Sequence, residues 1–383
     1  MEMTIDSSMR LVVVGGGVVG LSCAWRAAAG GARVTLVDAA PGSGASWVAG
    51  GMLAPVTEAW PGEEDLLALG VESVRLWPGF AARLGEAAGR EPGLRSEGTV
   101  VVATGSGDRA ELETLASYLD GLGRPVQRLS GKELRRLEPA IGPEVRGGLS
   151  VPDDLAVDNR LLLTALRAAA EKAGVAFVAR NAAGVVDDGT RVAGVTCDDG
   201  SVVEADAVLV AAGAWSSALH PALDAMVRPV KGEILRLGHR AGAFPAPSRT
   251  VRALVDGRPV YAVPRDAGGL VVGATQADVG FDLEPTVGGV RDLLRDAERV
   301  LPGVAEFALL EVAAGVRPGS PDNLPLIGPV GPEGLLVASG HHRNGILLAP
   351  VTAEAVVAML GGGAVADVVR VADPARLLRR ANG

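Results

Sequence analysis

The segment RLVVVGGGVVGLSCAWRAAAGGARVTLVDA, residues 10–39, leaves this chain few ways to begin folding. Leu11 to Val14 form an unbroken apolar run, suited to a strand buried on both faces of a parallel sheet. Gly15, Gly17 and Gly20 follow in G-x-G-x-x-G spacing, and the helix they open stops at Gly30-Gly31. A second β-branched run, Arg33 to Val37, ends at Asp38, eighteen residues after Gly20. Each glycine has a mechanical reason. Gly15 permits the tight turn, Gly17 lets backbone approach a pyrophosphate, and Gly20 lets helix and strand pack closely. The pyrophosphate then rests on unpaired N–H groups at the positive helix end, and Asp38 is placed for ribose hydroxyls. This is a dinucleotide-binding unit. The motif alone does not separate FAD from NAD.

The next stretch favours the longer ligand. PGSGASWVAGGMLAP (41–55) replaces the compact βα unit that a nicotinamide dehydrogenase would start there. Its small residues, among them Gly44, Ala45, Ser46, Ala49, Gly50, Gly51 and Met52, would let backbone lie against an extended cofactor. AGGMLAP is too apolar for a solvated surface loop.

A chain of 383 residues exceeds what one core usually fills, so two closely packed domains are expected. A formal charge of −9 without basic runs argues against nucleic acid or an anionic membrane as partner. No glycine-free apolar run approaches the ~18 residues of a membrane helix. The leading MEMTIDSSM is unlike a secretory signal, so residues 1–8 read as a loose tail and a cytoplasmic home is expected. Cys23 and Cys197 are too few and too far apart for a disulfide framework or a zinc site. With 33 Arg against 3 Lys, an arginine carries little weight by type and must be judged by its setting.

After residue 60 the simple alternation breaks. Helices are expected near 63–84, 108–120, 157–174 and 288–300, and Ser130 and Glu133 stand at capping-box spacing. A strand is expected at 98–104 and another at 175–180, followed by a hairpin turning at Asp198-Asp199-Gly200. ADAVLVAAGAWSS (205–217) returns to the parallel sheet, whereas 226–316 alternates strands with Pro and Gly turns. The fold class is α/β: a Rossmann-like FAD-binding domain with a second, mainly antiparallel α+β substrate domain. The expected division assigns 9–85, 140–225 and 312–383 to the first and 86–139 and 226–311 to the second.

Two stretches near the end carry charge in apolar settings. In AGVRPGS, Arg317 closes an apolar strand; it can grip a carboxylate bidentately or be an ordinary paired arginine. In GHHRNGILLAP (340–350), four polar residues precede a helix whose positive end suits an electron-rich ring. Arg343 there could face substrate, flavin or a structural acid. Tyr261, one of only two tyrosines, is either a carboxylate donor or a half-buried strand aromatic. His341 and His342 lack a third ligand at metal spacing, and Lys231 receives no role.

Together these stretches resemble the D-amino-acid oxidase family of FAD-dependent oxidoreductases, in particular its glycine-oxidase branch of thiamine biosynthesis. The resemblance rests on VVVGGGVVGLS, AGGMLAP, VDNRLLLTAL, VLVAAGAWS, RPVKGE, YAVPR, LVVGAT, AGVRPGSPDNLPLIG and GHHRNGILLAP, spanning residues 10 to 360. It implies noncovalent FAD touching Val18, Val19, Val37, Asp38, Gly44, Ala45, Ala49, Gly50, Gly51, Ala183 and the run His341, His342, Arg343, Asn344, Gly345, Ile346 and Leu347. It implies substrate contacts at Arg317, Arg343 and Tyr261, with no general base. The implied reaction takes hydride from the Cα of a small amino acid to flavin N5. The imine is hydrolysed to glyoxylate, and O₂ is reduced to hydrogen peroxide. A homo-oligomer is implied too. A sarcosine oxidase-like enzyme or an amino-acid dehydrogenase with another acceptor is the alternative. The chain departs from the branch at Pro259 and Gln276, which touches substrate range more than reaction type.

Overall fold

A computed structural model describes residues 4–124 and 126–377. Its centre is a six-stranded sheet in the order Leu326–Pro329, Leu335–Ser339, Ala207–Val210, Arg10–Val14, Arg33–Val37, Ala176–Val178. All neighbours run parallel except the edge strand Leu326–Pro329. The apolar run of the first strand is explained by burial on both faces. Leu11 and Val13 pack on the helices Val18–Ala29, Asn159–Lys172 and Ala349–Leu360. Val12 and Val14 face a three-stranded sheet, Ala182–Asp187, Val192–Cys197 and Val202–Glu204, which contains the expected hairpin. Below the helices, Trp77 and Trp25 meet Phe80 edge-on at 5.4 and 5.5 Å.

A second sheet of eight strands runs Ala308–Gly319, Arg228–Gly238, Leu270–Gly273, Arg258–Pro264, Thr250–Val255, Thr99–Ala103, Gly147–Val151, Gln127–Ser130. Every pairing is antiparallel except Thr250–Val255 with Thr99–Ala103. The helix Val287–Val300 packs Leu293, Ala297 and Val300 on one face, and Ser106–Gly121 packs Leu112, Ala116 and Leu119 on the other.

Local signals explain the element ends. Ser130 accepts from the Glu133 amide while the Glu133 carboxylate takes the Ser130 amide, a reciprocal cap for Gly131–Leu137. Asp158 accepts from the amides of Arg160 and Leu161 and starts Asn159–Lys172.

The structure places several segments differently from the expected division. Gly147–Val151, assigned to the nucleotide-binding part, pairs with Thr99–Ala103 in the second sheet. Ala308–Gly319 stays in that sheet beyond the expected boundary at 312, because its pairing with Arg228–Gly238 continues to Gly319. Ile5, expected in a loose tail, is buried in the main core and its amide donates to the Gly30 carbonyl at 2.8 Å. Residues 1–3 of that tail and 378–383 of the last segment lie outside the described residues.

Candidate active site

Four parallel strands end at one crevice, where the order of connections reverses about Arg10–Val14. A cavity of about 700 Å³ opens there, lined by Val14 and Gly15, Val37 and Asp38, Ala211 to Trp215, and Ser339 to Leu347 apart from Gly340. At this mouth the glycines act as their spacing suggests. Gly15 has φ +105°, and a side chain on it would strike the Ala211 backbone. A Cβ on Gly20 would strike the Gly15 carbonyl, so helix and strand touch backbone to backbone. Gly17 and Val19 line the cavity at the helix start, while the Val18 amide donates to Ser46 Oγ at 3.0 Å. Asp38 is anchored by backbone: it accepts from the amides of Gly16 at 2.6 Å and Ala40 at 2.7 Å.

The segment after the second strand turns back over the cavity. Gly44, Ala45, Ser46, Ala49, Gly50, Gly51 and Met52 all line it. Gly50 makes room for an aromatic ring, since a Cβ there would stand 2.8 Å from Tyr261 Cε2. On the opposite side Asn181 and Ala182 line the cavity, whereas Ala183, the expected contact, is exposed. The two-residue alternation of the strand Ala182–Asp187 turns Ala183 away.

At the other end, Gly315, Val316, Arg317 and Pro318 from the long edge strand meet Arg252, Pro259 and Tyr261 from the second sheet. Arg317 Nη1 donates to the carbonyls of Thr275 at 3.2 Å and Lys231 at 3.4 Å, and its guanidinium lies over Gly232, where a side chain would collide with it. No carboxylate lies within ion-pair distance of Arg317 among the described residues. Its fork is positioned by carbonyls and left free to take an anion. Burial lowers its pKa from the usual arginine range.

Glu58 is the carboxylate at this end, and sequence reasoning missed it. It pairs with Arg252 at 2.7 Å and Arg343 at 3.1 Å. Burial opposes its charge, but Arg252 and Arg343 outweigh that and hold it below the usual carboxylate range. Arg343 therefore has a structural acid as well as a place on the cavity wall. Burial raises the Tyr261 phenol, with Arg317 opposing, so the hydroxyl stays protonated as a donor at neutral pH.

GHHRNGILLAP adopts a tighter form than a simple helix start. His342–Asn344 make one 3₁₀ turn, and the α-helix begins at Ala349. Ahead of it, Gly345, Ile346 and Leu347 line the cavity, and the amides of Ile346 and Leu347 have no backbone acceptor among the described residues. The Leu347 carbonyl is held from behind by Ser73 Oγ at 2.6 Å and Trp77 Nε1 at 2.9 Å. His341 is buried against Thr352 Oγ1 at 3.0 Å, and burial lowers its pKa to about 3. His342, at φ +48°, is lowered to about 4 by burial and by Arg317 and Arg343. Both imidazoles are neutral at physiological pH. Lys231 lies outside the cavity, its ammonium on Asp282 and the Glu284 carbonyl.

These features fit a flavin dinucleotide. Asp38 and a glycine-lined helix start share one cavity with the free amides of Ile346 and Leu347 and with the guanidinium of Arg317, which has no protein carboxylate partner among the described residues. Known proteins agree. Residues 10–359 match the model of the FAD dependent oxidoreductases (DAO). The glycine oxidase of Geobacillus kaustophilus is 34% identical over 349 residues, 89% of this chain and 90% of that protein. The crystal structure of glycine oxidase from that organism gives a TM-score of 0.87 at 31% identity, covering 95% of this chain and 98% of that one. A bifunctional protein ThiO/ThiG of Trichormus variabilis is 31% identical over 347 residues, 90% of this chain but only 52% of that protein. The chain thus spans about half the length of that relative. No helix among the described residues is long and apolar enough to cross a membrane. This chain belongs to the DAO family of FAD-dependent oxidoreductases, and its cofactor is FAD.

Proposed function

We propose that the chain oxidises glycine and other small primary or secondary amino acids. In this reading FAD is held noncovalently and O₂ is the final acceptor. The observation that carries it is the meeting of Arg317, Tyr261 and Arg343 in one cavity with the free amides of Ile346 and Leu347. A planar guanidinium without a protein carboxylate suits the one fixed handle of an α-amino acid.

FAD, when bound, supplies the two-electron acceptor. The chain's own residues bind, orient and set charge. Arg317 takes the substrate carboxylate, and Tyr261 adds its hydroxyl proton as a donor. Glu58 holds Arg343 and Arg252 in place. Three guanidiniums against one carboxylate at this end leave the wall net cationic, which favours the neutral amine over the ammonium. The proton is thereby lost to solvent without a dedicated base. Orientation then carries most of the rate. The imine product takes up water to give a 2-oxo acid, with ammonia released from a primary and a primary amine from a secondary substrate. The likeness to the bifunctional ThiO/ThiG protein supports a role in supplying thiazole formation.

The test is anaerobic mixing of the yellow protein with glycine, sarcosine and D-alanine in turn, following the flavin absorbance. Bleaching that air reverses with release of peroxide is the expected result. Bleaching that air leaves unchanged would transfer the chain to the dehydrogenases, and a bound flavin that no amine bleaches would overturn the substrate reading.

A further inference from the structure

The strip Asp158-Asn159-Arg160 lines no part of the cavity, yet each of its side chains reaches the cofactor-facing segment or what holds it. Asn159 is fully buried, and its amide nitrogen donates to two successive carbonyls, Ser46 and Trp47, both at 2.8 Å. Its oxygen accepts from Arg236 Nη2 at 3.0 Å and Arg265 Nη2 at 3.1 Å. Both arginines come from the second sheet or its border. Arg265 Nη2 also donates to the Gly50 carbonyl at 2.7 Å, while Arg265 Nε lies 3.4 Å from Asp158. Arg160 stacks on the Trp47 ring at 4.1 Å and pairs with Glu311 at 2.7 Å, on the strand that carries Arg317 six residues later.

We propose that this strip is a clasp that sets where segment 44–52 lies between FAD and the substrate-side sheet, with Asn159 as its positioning residue. The inference rests on FAD occupying the cavity. The bonding is what a clasp requires. One buried amide satisfies carbonyls of the cofactor segment on one side and guanidiniums of the other sheet on its opposite side. All four hydrogen-bonding positions of Asn159 are thereby used. Gly50, held by Arg265, is also the residue packed on Tyr261, so the clasp ties the cofactor wall to the substrate wall.

Asn159→Asp keeps size and shape but turns both donors into an anion facing the Ser46 and Trp47 carbonyls. Titrating the apoprotein with FAD, followed by flavin fluorescence, should give a dissociation constant raised about ten-fold or more. The thermal midpoint of the apoprotein should stay within about 2 °C of wild type. Because Asn159 is buried, Arg160→Met provides a second arm at the partly exposed end. It removes the Trp47 stack and the Glu311 pair, and should raise the FAD constant about three-fold. FAD constants unchanged in both variants would overturn the clasp. So would a rise that merely tracks a lowered apoprotein midpoint, since that is loss of folding. A wild-type apoprotein that takes up no FAD would instead overturn the cofactor assignment beneath it.

Discussion

Replacing Arg317 with alanine tests the carboxylate grip directly. In the structure this guanidinium has two carbonyl acceptors, at 3.2 and 3.4 Å, both on Nη1. Nε and Nη2 are therefore free to form the bidentate pair. Removing one partner of a desolvated, hydrogen-bonded charge pair costs about 2–5 kcal/mol. At about 1.4 kcal/mol per decade, that is roughly thirty-fold to several thousand-fold in affinity. The neighbours argue for the lower half of that range, because Arg343 and Arg252 remain on the same wall and still attract an anion. We expect a nonreactive carboxylate such as benzoate to bind at least about thirty-fold more weakly, read from its perturbation of the flavin band. The protein should stay yellow, since the substitution leaves Asp38 and the glycine-lined helix start untouched. Arg317→Lys should recover only part of the loss, because a point charge lacks the fork. Benzoate affinity within two-fold of wild type in Arg317→Ala would refute the reasoning.

Three other perturbations follow from the same geometry. Asp38→Ala removes the acceptor of the Gly16 and Ala40 amides as well as the ribose acid, so FAD should bind about ten-fold more weakly or worse with substrate ranking intact; an unchanged FAD titration would remove Asp38 from the ribose. Gly50→Ala puts a methyl 2.8 Å from the Tyr261 ring and should weaken benzoate binding about five-fold or more, and unaltered binding would show that the ring moves freely. Asp154, buried and accepting from Thr57 at 3.0 Å, has its pKa raised from 3.8 to about 7 by burial. The folded state thus holds a proton that the unfolded chain releases, so this site's stability contribution is full below pH 4 and is lost as pH rises to about 7. Asp154→Asn should raise the melting temperature above pH 7 and make little difference near pH 4, and a gain that is the same at both would show that Asp154 is not protonated in the fold.

What could be read from the sequence follows a physical line. The dinucleotide half was legible because its determinants are local: three glycines, a strand and an acid act within thirty residues, and backbone geometry dictates their spacing. The cap at Ser130 was legible for the same reason. Arg317 stood out because a charge closing an apolar strand is costly unless something needs it.

The other half of the site was not local. Glu58 lies in an unremarkable TEAW, and Arg252 in a strand beside Val and Ala; only the fold brings them to 2.7 Å. Among 33 arginines nothing in the neighbourhood of Arg252 marks it as facing a cavity rather than solvent. Asn159 shows the same limit more sharply. Its place at the start of a helix, next to Asp158, suggests an ordinary cap, and Asp158 does take that role. That frees Asn159 from local duty, and its side chain is spent on Ser46 and Trp47, more than a hundred residues away. Residue type at a helix start reports that a polar group is wanted there. It does not report whether the group serves its own helix or a loop from another part of the chain. Such residues become visible only when every buried donor and acceptor has been traced to its partner, and here that trace runs from segment 44–52 to the strand that carries Arg317.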